Sequence, residues 1–147
     1  MKSLLLASAI AMTATGAFAS ELIKVPSNKS VSVTIDALEM AVKNAGATVF
    51  ARVDHAAGAT SIGSELSPAE VLIFGNPKLG TPAMEADIRS GLYLPLKVLA
   101  YEDETGQVFL TYEDPAEMMS DLDIAADAPF VTGMQGALGK LSAAATQ

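Results

Sequence analysis

His55 is the only histidine in the 147-residue chain, and it stands in Asp54-His55-Ala56-Ala57-Gly58, directly after a β-favouring run. An imidazole titrates near neutral pH, so in a cleft it can serve as a general base or a metal ligand. Asp54 would orient the ring only if the strand has already ended, because successive strand residues point to opposite faces. A half-buried histidine that bonds the backbone is the commoner occupant of such a junction when no second histidine accompanies it. The other stretch with chemical content is Phe74-Gly75-Asn76-Pro77-Lys78-Leu79-Gly80-Thr81-Pro82. Thr81 followed by Pro82 reads as a helix start, with the hydroxyl at the N-cap and proline at the first helical position. Free amides at Gly80 and Thr81, with Lys78 beside them, would then form an anion cradle. A conformationally demanding strand-to-helix connection needs the same residues without any ligand, and phosphate loops carry more glycines. Together these positions predict a cleft of His55, Asn76, Lys78, Gly80 and Thr81 that holds a small anionic or polar ligand. The alternative is an enzyme in which His55 acts as general base and the same amides stabilise an oxyanion.

Other chemistries find less support. No Gly-x-Ser-x-Gly elbow is present, so a serine nucleophile has no context. Paired histidines, EF-hand loops and carboxylate triads are missing, which disfavours zinc and calcium. Met84, Met118, Met119 and Met134 with His55 offer a soft set for copper(I) or an axial pair for non-covalent haem, with His55 and Met84 as the metal-ligand candidates. Scattered methionines more often fill a core. Glu113, Asp114, Glu117, Asp121, Asp123 and Asp127 read as a solvated acidic face. No cofactor is specified by the sequence.

Residues 1–19 carry Lys2, an apolar stretch from Leu4 to Met12 and Ala17-Phe18-Ala19. That pattern predicts a secretory signal peptide cut after Ala19, too short to span a bilayer. A single α+β domain over residues 20–147, periplasmic or secreted, is the expectation. Loss of Lys2 takes the net charge from −8 to −9. Such an acidic balance argues against nucleic acid and against anionic lipid as partners. With no cysteine, disulfides, thiolate metal sites and covalent c-type haem are excluded.

The elements that must position these residues follow from periodicity. Glu21 to Pro26 predicts a short edge strand. Ile35, Leu38, Val42 and Ala45 recur at helical spacing after a Ser30 or Ser32 cap, and Gly46 closes that helix. Thr48 to Val53 is a strand, followed by a short alanine-rich helix capped by Asp54 and ended at Gly63. Ser67 to Glu70 fits a capping box with room for a single turn. Val71 to Phe74 lacks polar alternation and reads as a strand covered on both faces. Ala83 to Arg89 predicts a second short helix. Leu94 to Glu102 and Gln107 to Glu113, joined by Asp103-Glu104-Thr105-Gly106, predict a hairpin. Both faces of that hairpin are apolar, so one needs a cover, either the C-terminal helix or a second copy of the chain. Asp114-Pro115 starts a helix running to Asp123, and Pro129 to Ala145 forms the last. Gly133, Gly136 and Gly139 in that helix imply close packing against another element. The fold class expected is a small two-layer α+β domain, mainly an antiparallel sheet with helices packed on one face.

Val49 to Ala59, Leu72 to Pro82 with its Phe-Gly-Asn-Pro-Lys motif, Leu94-Pro95-Leu96-Lys97, Tyr101-Glu102-Asp103 and Tyr112 to Pro115 closely resemble family 302 of the domains of unknown function. The resemblance covers roughly residues 30–120. It implies a two-layer α+β domain that tends to form homodimers, and it brings no established activity.

Overall fold

The computed structural model describes residues 22–147. The leader expected over residues 1–19 lies outside the described residues. Five strands, β1 (Ile23–Ser27), β2 (Thr48–Asp54), β3 (Ala69–Gly75), β4 (Leu96–Glu102) and β5 (Val108–Tyr112), form one antiparallel sheet in the order β1-β5-β4-β3-β2. Helices α1 (Val31–Asn44) and α5 (Pro129–Thr146) pack on one face of it, which is the two-layer α+β arrangement the periodicity predicts. Short helices α2 (His55–Ser61), α3 (Pro77–Ala86) and α4 (Pro115–Met118) and a 3-10 turn at Ile88–Leu92 complete the chain.

The core lies between the sheet and the α1/α5 layer. Leu72 and Phe74 of β3, Leu96 and Val98 of β4, and Leu110 of β5 point into it. They meet Ile35, Leu38 and Val42 of α1 and Val131, Met134 and Leu138 of α5. Each such aliphatic side chain removed from water contributes about 1.5–3 kcal/mol. Ser30 caps α1 through Val33 N–H, and Gly46 turns the chain after it at φ +74°, where a side chain is disfavoured. Gly106 does the same for the β4–β5 hairpin at φ +82°.

Several sequence expectations are corrected. Val71 and Ile73 alternate with Leu72 and Phe74 and stay half-exposed on the outer face, so β3 is covered on one side only. α5 joins α1 on the inner layer and leaves the outer face of the hairpin open. α2 buries no residue, and a Cβ at Gly58 would meet nothing within 4 Å, so the close backbone approach expected there is not made at that glycine. Ser67 and Pro68 lead straight into β3 without a helical turn. α4 stops at Met118, because its cap and proline start a turn that no longer apolar periodicity sustains. The predicted Ala83–Arg89 helix begins instead at Pro77 and ends at Ala86.

Candidate functional site

The start of α3 decides what the Gly75–Thr81 stretch can do. Asn76 is the N-cap: its Oδ1 accepts from Lys78 N–H at 3.0 Å, and Pro77 occupies the first helical position. Leu79 N–H and Gly80 N–H both donate to Asn76 C=O at 3.0 Å. The first-turn donors that an anion would need are therefore spent inside the helix. Thr81 lies in mid-helix, and Pro82 is accommodated there at the cost of one helical donor to Lys78 C=O. The predicted helix start at Thr81 thus lies five residues too late, and the amide cradle at Gly80–Thr81 falls inside the helix, because Asn76-Pro77 is the earlier and complete start signal.

His55 is not part of this cleft. In the β2–β3 register Thr48 faces Gly75 while Asp54 faces Glu70. His55 and Asn76 therefore sit at opposite ends of the strand pair, six strand steps or roughly 20 Å apart. His55 is exposed, and Asp54 spends its carboxylate on capping α2 through Ala57 N–H at 2.8 Å. Met84 lies on α3, at the far end from His55, so the two do not form a ligand pair. Among the described residues no group of three or more His, Cys, Asp or Glu side chains is placed to hold a metal ion. Of the acidic cluster, Asp114 caps α4 and accepts from Gln135, and Asp121 accepts from the Tyr93 hydroxyl at 2.8 Å.

What the structure does assemble is a cavity of about 760 Å³ at the Gly75–Asn76 end of the sheet. It lies where α3, the β3 and β4 ends and α5 converge. Its apolar wall includes Phe50, Phe74, Leu79, Met84, Leu94, Leu96 and Met134. Asn76, Gly80 and Thr81 are among the lining residues; Lys78 and His55 are not. One wall is the α5 stripe Gly133, Gly136, Ala137 and Lys140, at successive helical spacings. A Cβ at Gly133 would come within 2.9 Å of Leu79 Cδ2, so there the helices do pack closely. A Cβ at Gly136 would meet nothing within 4 Å, so that glycine opens space instead. The volume falls within the range of small-molecule pockets, and the lining is mainly apolar with a few polar groups, as such pockets require.

Sequence reasoning missed this site because four separate stretches build it. Its one legible sign was the i, i+3 glycine pair on α5, which reads equally as tight packing. Lys140, the only charged residue in the lining, gave no signal beyond a polar interruption.

Electrostatics elsewhere are structural. Arg52 links β2 to β3 and α1, reaching Glu70 at 2.6 Å and Asp36 at 2.5 Å, and these carboxylates push its pKa up. The Arg89 guanidinium at 2.6 Å holds the Asp87 carboxyl well below the usual carboxylate range, helped by Arg89 N–H.

The family described as Domain of unknown function DUF302 matches residues 23–146. The crystal structure of an uncharacterized conserved DUF302 protein from Bacillus stearothermophilus aligns with a TM-score of 0.77 at 17% identity, covering 86% of this chain and 98% of that one. Two curated relatives named fluoride-specific ion channel FluC 1, from Brucella suis and Brucella abortus, are each 47% identical over 97 residues. That segment is 66% of this chain but only 38% and 36% of theirs, so the chain spans little more than a third of the relatives it matches. Among the described residues no helix is long and apolar enough to cross a membrane.

Proposed function

We propose that this chain, which belongs to the DUF302 family, is an exported, homodimeric binding module that takes a small molecule with an apolar body and a polar or anionic end. The observation that carries this reading is the α3/α5 cavity: about 760 Å³, walled by aliphatic and aromatic side chains, with Asn76, Thr81, Thr132 and Lys140 as its polar side chains. Burial of apolar ligand surface there supplies the affinity, at about 25 cal/mol per Å² before the costs of association. The few polar groups set orientation. The channel activity named for the Brucella proteins is not carried over, since the shared segment is a minor part of them.

The dimer is supported by the uncovered outer face of the sheet. Val53, Val71, Ile73, Leu99, Tyr101 and Phe109 are the apolar residues of that face, which they share with Lys24 and Lys97, and the Tyr101 and Phe109 rings stack at 5.9 Å. Five strands about 4.8 Å apart give a face roughly 20 Å on a side, about half of the roughly 800 Å² that each partner contributes to a standard interface. A two-fold axis would set this face against its own copy.

The experiment is displacement of the neutral dye Nile red. Wild type brightens the dye saturably, and Gly136→Phe, which places a ring in the cavity, abolishes the signal while the protein stays folded. Undiminished brightening in Gly136→Phe would place the dye elsewhere and remove the basis for the reading.

A further inference from the structure

Building on the cavity reading above, we infer that the ligand is an acid: an apolar monocarboxylate whose tail lies against α3 and the sheet end and whose carboxylate meets Lys140 at the α5 rim. The argument is one of charge. The chain carries 17 acidic side chains against 9 basic ones. In this acidic protein three of the described cations pair with carboxylates: Lys43 with Glu39, Arg52 with Asp36 and Glu70, and Arg89 with Asp87. Yet no aspartate or glutamate lines the cavity, and Lys140 has no ion pair or hydrogen bond among the described residues. A cation beside an apolar cavity, without a carboxylate of its own protein, is complementary to an anion and hostile to an amine.

The other polar groups point the same way. With Asn76 Oδ1 engaged by Lys78 N–H, the side-chain amide has its NH₂ left to donate. Thr132 Oγ donates within α5, to Pro129 C=O at 3.1 Å, so it is not a donor to the ligand. Beside the Thr81 hydroxyl, the cavity therefore offers a lysine ammonium and an amide NH₂, both donors that suit carboxylate oxygens. An alcohol would use only part of that set, and a second negative charge would find no further cation in the lining.

The test compares decanoate, decanol and decylamine, equal in tail and different in head, by competition against Nile red. Wild type is expected to bind decanoate roughly tenfold or more tightly than decanol, the size expected of a hydrogen bond to a charged group. Decylamine should bind weakest. Lys140→Gln should erase the acid preference and leave decanol within about twofold, while Lys140→Arg retains it. Lys78→Gln, outside the cavity, should keep the wild-type ranking. Equal binding of acid and alcohol in wild type, both blocked by Gly136→Phe, would overturn the acid and leave the cavity reading standing. An acid preference that survives Lys140→Gln would overturn the role of Lys140. Absence of binding by all three would overturn both.

Discussion

At the scale of single residues, the chemistry of this chain divides between groups that hold the fold and groups left free to meet a ligand. His55, the one imidazole, belongs to neither: it is exposed at the start of α2, whose cap is Asp54. His55→Ala is expected to leave Nile red and decanoate binding unchanged and to shift Tm by no more than a degree or two. Asp87 holds structure. It caps the 3-10 turn and pairs with Arg89, and its depressed pKa means that the folded state binds the proton less readily than the unfolded chain. The stability it contributes is fully present above the unfolded value of about 3.9 and is lost as pH falls through the lower folded value. Asp103, lowered by Thr105 and Gln107, adds to the same acid limb. Asp87→Asn should therefore lower stability at pH 7 while narrowing the stability difference from wild type below pH 3, as read by urea unfolding at both values.

The element scale is where sequence and structure part. The helix α1, the hairpin and the Pro129 helix were all legible, because each has strong apolar periodicity and a local start or turn signal: the Ser30 cap, Gly106 and Pro129. The start of α3 was misplaced, since Asn76-Pro77 and Thr81-Pro82 are both valid start signals and only the earlier can nucleate. That five-residue difference removes the anion cradle read into Gly80 and Thr81. Asn76→Ala, which strips the Lys78 cap, should cost about 1 kcal/mol and lower Tm by a few degrees. The α5 glycines were read as uniform close packing, whereas their surroundings differ. Gly136→Ala meets no neighbour and should stabilise the helix by up to about 1 kcal/mol. Gly133→Ala must displace Leu79 and should gain less or lose stability. The cavity itself was not legible, because α3, β3, β4 and α5 meet there only through tertiary packing.

For the molecule as a whole, the governing fact is that the helices cover one side of the sheet. The same asymmetry gives a core, a terminal cavity and an open apolar face. The unbroken apolar run of β3 and the two apolar faces of the hairpin announced a second face in need of cover, but a single chain cannot tell which cover is external. The wild-type protein is expected to sediment at twice the chain mass, and Leu99→Lys with Tyr101→Glu, charges set into the open face, should yield a folded monomer. A wild-type monomer would remove the dimer from the account without touching the cavity.

The central claim is that the α3/α5 cavity receives an apolar ligand. Methionine methyl NMR tests it most directly, because Met84 and Met134 line the cavity while Met40, Met118 and Met119 do not. With ¹³C-methyl methionine in the protein, saturating decanoate and, separately, decanol are titrated in. The account predicts that the Met84 and Met134 methyl signals shift with a common saturation curve while the other three hold their positions. Signals at Met84 and Met134 that stay fixed with both ligands, or that move no more than Met40, would contradict it.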